Sequence, residues 1–92
     1  MKFVAHGDRV ARLDTVQSIR ALWQDDNQCC ALMFWYPGGD VFYFANFPKW
    51  ATLWHLQKVA ERITWWGATG MDGVFYIDEA LEKVQHEEEP KE

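Results

Sequence analysis

The run CCALMFWYPGGDVFYFANF, residues 29–47, limits what this chain can become more than any other stretch. Pro37-Gly38-Gly39-Asp40 is a turn signal, and apolar, aromatic segments flank it on both sides. Cys29–Tyr36 and Val41–Asn46 therefore read as adjacent antiparallel strands of one hairpin. Successive side chains of a strand point to opposite faces. Cys29, Ala31, Met33 and Trp35 share one face of the first strand, and Cys30, Leu32, Phe34 and Tyr36 share the other. In the second strand Phe42 and Phe44 oppose Val41, Tyr43 and Ala45. A sheet covered on one side alternates apolar with polar residues. This hairpin has no polar face, so both of its sides need a cover.

One cover is written into the next segment. Asn46-Phe47-Pro48 can open a helix, with Asn46 as its cap and Pro48 in a first turn that does not need its missing N–H. The spacing predicts a main amphipathic helix over about 48–64, with Leu53, Leu56, Val59, Ala60 and Ile63 as its core stripe. Trp50 and Trp54 flank that stripe, and His55, Lys58 and Arg62 lie opposite. For the other side of the hairpin there are two candidates: a second copy of the chain, in an isologous homodimer, or the C-terminal segment.

The remaining elements follow from local pattern. Lys2–His6 suits a short strand, Gly7-Asp8 a turn, and Arg9–Leu13 a half-exposed strand with alternating polarity. Val16–Gln24 fits a strand or a helix. A strand is favoured because the turn-like Asp25-Asp26-Asn27-Gln28 leads straight into the hairpin, as in a meander. Trp65-Trp66-Gly67 ends the helix, with Gly67 suited to a left-handed cap. A glycine-rich loop runs to Gly73, followed by a short strand Val74–Ile77 and a helix Glu79–His86 capped by Asp78. Residues 87–92 form an acidic tail expected to fray. The fold class expected is α+β: one domain, residues 1–86, with an antiparallel meander of three to five strands packed by the main helix.

Composition sharpens the functional expectation. A chain of 92 residues with six Trp and 16% aromatic content has more large rings than a small core can enclose. Some of them are expected on a partner surface, where Trp and Tyr act as anchors. The net charge of −5 disfavours general phosphate-backbone binding and favours basic partners. Cys29 and Cys30 are adjacent and point to opposite strand faces, so they read as free thiols of a reducing compartment. No leader-like apolar segment opens the sequence and no run reaches the about 20 residues of a membrane helix. The expected location is cytoplasmic, with no membrane partner.

Catalytic and metal-binding patterns are missing. Ser18 stands alone without a nucleophile-elbow context, and His6, His55 and His86 have no second ligand at metal spacing. The loop Gly67-Ala68-Thr69-Gly70-Met71-Asp72-Gly73 follows a helix and lacks the lysine of a phosphate loop. The expectation is a non-enzymatic, cofactor-free protein-binding module. Aromatic anchors would be Trp35, Tyr43, Trp50, Trp54, Trp65 and Trp66, with an acidic rim of Asp25, Asp26, Asp40 and Asp72. In size, charge and aromatic content the chain is similar to immunity proteins, antitoxins and phage-encoded inhibitors of bacterial defence. That similarity implies docking on a nucleic-acid-processing protein. Two alternatives stand beside it: single-stranded nucleic acid on a His55, Lys58 and Arg62 face, or a small planar ligand such as a nucleotide among the aromatics.

Overall fold

The computed structural model describes residues 1–26 and 28–87. Eight elements follow in order: β1 (Lys2–His6), β2 (Arg9–Arg12), β3 (Ser18–Gln24), β4 (Cys29–Trp35), β5 (Val41–Phe44), α1 (Leu53–Gly67), β6 (Gly73–Tyr76) and α2 (Ile77–Gln85). The class is α+β, and the meander expected from the hairpin is present as an antiparallel sheet in the order β3-β4-β5. Val16–Gln24 contributes a strand, β3, rather than a helix.

The first two strands do not extend that meander. They form a second three-stranded sheet in the order β2-β1-β6. Here β1 pairs antiparallel with β2 and parallel with β6, with Val4 opposite both Ala11 and Phe75. Parallel neighbours need a long crossover, and everything from β2 to α1 supplies it. Both sheets turn their inner faces to one core. Val4, Ala11, Leu32, Phe34 and Phe44 meet Leu56, Val59, Ala60 and Ile63 of α1 and Ile77, Ala80, Leu81 and Val84 of α2. Phe34 and Phe44 are fully buried and pack edge-to-face at 5.5 Å. Each such ring stabilises the fold by about 1.5–3 kcal/mol through burial alone.

Two glycines make the hairpin turn possible. Gly38 and Gly39 both have φ of 89°, a region that side chains with a Cβ avoid. The turn closes with Tyr36 N–H donating to Asp40 O at 2.8 Å.

The main helix starts later than its sequence suggests. Thr52, not Asn46, is the N-cap. The Thr52 amide and hydroxyl both reach His55 Nδ1, at 3.1 and 2.9 Å. Asn46 instead takes φ of 63°, and Ala51 N–H closes a separate turn onto Pro48 O. With that turn in place, Phe47, Trp50 and Ala51 pack against the core. At the other end α1 runs through Gly67, and its cap, Ala68, has φ of −82° rather than a left-handed value. The short final strand also ends sooner. Ile77 is already helical, and Asp78 lies in the first turn of α2 instead of capping it.

A distant residue completes the C-terminus of α1. No basic side chain lies in its last turn. The ammonium of Lys2, a residue only 9% exposed, donates to Gly67 O at 2.8 Å, to Trp66 O at 3.4 Å and to Thr69 O. A cation there satisfies orphan carbonyls and opposes the negative end of the helix dipole. No helix among the described residues is long and apolar enough to cross a membrane.

Candidate binding surface

Strand pairing assigns every residue of the β3-β4-β5 sheet to a face. Ile19, Ala21, Trp23, Cys30, Leu32, Phe34, Phe42 and Phe44 pair across one side, where α1 and the core cover all but Trp23. Ser18, Arg20, Leu22, Gln24, Cys29, Ala31, Met33, Trp35, Val41 and Tyr43 pair across the other, outside the core cluster. Val41 is 43% exposed and Tyr43 40%, while Leu22, Met33 and Trp35 are half-buried. Ala31, the smallest side chain at the centre, lies wholly beneath its neighbours. The two-sided apolar hairpin thus has one covered face and one that no described element covers. The C-terminal segment, one of the two candidates for that cover, goes elsewhere: β6 joins β1, and α2 packs on α1 and β1.

The proposed anchors divide along the same line. Trp35 and Tyr43 lie on the open face. Trp50, Trp54 and Trp66 are half-buried against the core, and Trp66 also meets Phe75 at 5.9 Å. Trp65 stands apart on α1, 77% exposed. Among the acids, Asp25 and Asp26 are exposed in the β3–β4 turn, and Asp40 is exposed in the β4–β5 turn. They border the two opposite ends of the open sheet face. Asp72 is not part of that border. It pairs with the Met1 ammonium at 2.6 Å beside the other sheet, and that hydrogen bond, together with the positive charge, holds its carboxyl below the usual range.

The basic stripe of α1 is engaged within the molecule. His55 accepts from the Thr52 cap. Lys58 lies 3.6 Å from Glu61 and 5.5 Å from the Trp54 ring, and Arg62 pairs with Glu87. The rest of the expected acidic tail, residues 88–92, lies outside the described residues, as does Asn27 of the β3–β4 turn.

Two features were not anticipated from sequence. The outer face of the β2-β1-β6 sheet is also open and mostly apolar: Val10, Val74 and Tyr76 are exposed there, beside Phe3, Ala5 and the exposed Arg12. The alternation of Arg9-Val10-Ala11-Arg12-Leu13 marked Val10 only as one face of a half-exposed strand. The second feature is a seam of polar contacts between the two sheets. Arg9 Nη1 donates to Tyr43 O at 2.9 Å, His6 Nε2 lies 3.0 Å from Ala45 O, and Tyr36 Oη donates to Arg12 O at 2.6 Å. His6 Nδ1 also reaches Asp78 at 2.9 Å, so one ring ties β1 to α2 and to the segment after β5. Residues 24 to 72 positions apart make these contacts, so no local pattern signals them.

Both cysteines are free thiols. Cys30, on the core side, has its pKa raised by burial and then by the neighbouring Cys29, which keeps it neutral. Comparison with known proteins found no matching family model, no matching curated protein and no matching solved structure.

Proposed function

We propose that this chain is a non-enzymatic protein-binding module whose contact surface is the outer face of the β3-β4-β5 sheet. The observation that carries the reading is the uncovered group Leu22, Met33, Trp35, Val41 and Tyr43, bordered at both ends by carboxylates. Contiguous exposed apolar surface costs solubility unless a partner uses it. Trp and Tyr supply large contact area with few rotatable bonds, and the acids steer a basic partner into register.

Charge also selects the occupant. A second copy docked face to face would bring Asp25, Asp26 and Asp40 against the same carboxylates of its partner, between chains of net charge −5 each. A different protein, apolar at the centre and basic at the rim, fits better. Nucleic-acid-processing proteins carry such surfaces where they hold phosphates, and occupation of one would inhibit it. The nucleic-acid alternative is less favoured because His55, Lys58 and Arg62 each already have a partner within the molecule.

The test is capture of partners from the source lysate with tagged protein, in parallel with Tyr43→Lys and Met33→Lys variants. Both positions point away from the core, so both variants should keep the wild-type circular dichroism. One stoichiometric partner, lost with both variants and bound more slowly by Asp25→Lys/Asp26→Lys, is the expected result. A partner retained by both folded variants would place the contact elsewhere. A face-to-face homodimer abolished by the same variants would replace the proposed occupant.

A further inference from the structure

The two edges of the β3-β4-β5 sheet are treated differently. Tyr36 N–H donates to Asp40 O, so Tyr36 and Asp40 form a hydrogen-bonded pair. Alternation then gives Phe34 with Phe42 and Leu32 with Phe44 as bonded pairs, and directs Val41, Tyr43 and, beyond the strand, Ala45 to the outer edge of β5. The carbonyls of Tyr43 and Ala45 have partners, Arg9 and His6. Side chains of the other sheet thus occupy part of that edge. On β3 the same alternation directs the backbone of Ile19, Ala21 and Trp23 outward. Among the described residues those outward amides and carbonyls meet no backbone or side-chain partner.

A groove runs beside this open edge. It encloses about 550 Å³ between β3 and α1, lined by Ile19, Arg20, Ala21, Ala60, Glu61 and Trp65 among others. Ala21 and Ala60 make it deep, because neither side chain fills the space. Trp65 and Trp23, 77% and 51% exposed, are the two most exposed indoles near it.

We infer that the β3 edge pairs with the β3 edge of a second copy, antiparallel, about a two-fold axis at Ala21. In that register Ile19 lies opposite the partner's Trp23, and Ala21 opposite the partner's Ala21. All three outward residues then exchange amide and carbonyl bonds. Within β3 Arg20 faces the partner's Leu22, and antiparallel pairing sets the two β3–β4 turns, with their Asp25 and Asp26, at opposite ends of the seam, so no like charges oppose across it. This contrasts with the acid-on-acid juxtaposition of a face-to-face dimer. The pairing joins two three-stranded sheets into one of six strands with closed symmetry. It leaves the outer face free and doubles it. The inference therefore stands apart from the proposed partner surface and fails separately.

The experiment is sedimentation velocity with light scattering, from micromolar to near-millimolar protein, on the wild type and two variants. Trp23→Lys places a charge on an exposed edge position. Ala21→Pro removes an outward N–H that the β4 ladder does not use, as natural edges do. The wild type should pass from monomer to dimer. Each substitution acts twice across the two-fold axis, so Trp23→Lys should raise the dissociation constant by at least about tenfold. If Ala21→Pro does not fold, Trp23→Lys decides alone. A wild type that stays monomeric throughout overturns the inference, as does a dimer unaffected by folded Trp23→Lys.

Discussion

Replacing Lys2 by Met tests whether a residue at one end of the chain closes a helix more than sixty positions away. The thioether keeps most of the buried stem and removes the ammonium. Three carbonyls at the end of α1, those of Trp66, Gly67 and Thr69, lose their donor. A hydrogen bond to a charged group contributes about 1.5–3 kcal/mol. Removing the cation from the negative end of the dipole costs about 0.3–1 kcal/mol more. Two terms oppose these: the ammonium no longer has to leave water, and Ala68 is exposed, so solvent can reach some of the freed carbonyls. The net loss expected is about 2 kcal/mol. For a chain of this size that lowers Tm by about 8–16 °C. Urea unfolding followed by Trp fluorescence measures it, with an unchanged m-value showing that the unfolded state is the same. Amide exchange should quicken in the last turn of α1 before it does in β4. A loss below about 0.5 kcal/mol, within the range of ordinary surface changes, would refute the reasoning.

Other substitutions separate core from surface. Phe44→Ala removes a fully buried ring packed against Phe34 and Phe42 and should cost about 3–5 kcal/mol in urea unfolding. Trp65→Ala should leave stability within about 0.5 kcal/mol, whereas Trp66→Ala, packed on the core and on Phe75, should lower Tm clearly in the same thermal scan. Cys30 should react with a disulfide reagent at pH 8 more slowly in the folded protein than in urea. Its pKa is raised on folding, so its contribution to stability is full below the unfolded value and is lost as pH rises through the folded one. Alkaline unfolding curves of wild type and Cys30→Ala check that sign.

Periodic features of this fold are legible in the sequence. The hairpin and its turn are fixed by two apolar runs around Pro37–Asp40, and the α1 stripe by Leu56, Val59 and Ile63 at helical spacing. The open face was half legible. Alternation shows that Met33, Trp35 and Tyr43 share a side, but which side α1 takes depends on a core assembled from every element. Local signals also compete. Asn46-Phe47-Pro48 and Thr52 both suit a helix start; the helix starts at Thr52, where His55 completes the cap, and Phe47 and Trp50 pack on the core from the preceding turn. What no local pattern reveals is pairing across distance. The parallel β1–β6 pair, the Lys2 closure of α1 and the Arg9 and His6 contacts to β5 all join segments that only the finished topology brings together. The aromatics followed the same rule. Six Trp in a small chain signal that some must be exposed, but helical spacing alone does not separate the core-packed Trp66 from the exposed Trp65.

Hydroxyl-radical footprinting of Met33, Trp35 and Tyr43, in the free protein and bound to its captured partner, tests the central claim most directly. Met71, 63% exposed in a loop away from this sheet, is the internal standard. In dilute free protein the three face residues should oxidise readily while Phe34 and Phe44 stay intact, and in the complex all three should be protected with Met71 unchanged. Protection of the face in the free monomer, or its continued oxidation in the complex, would contradict the account.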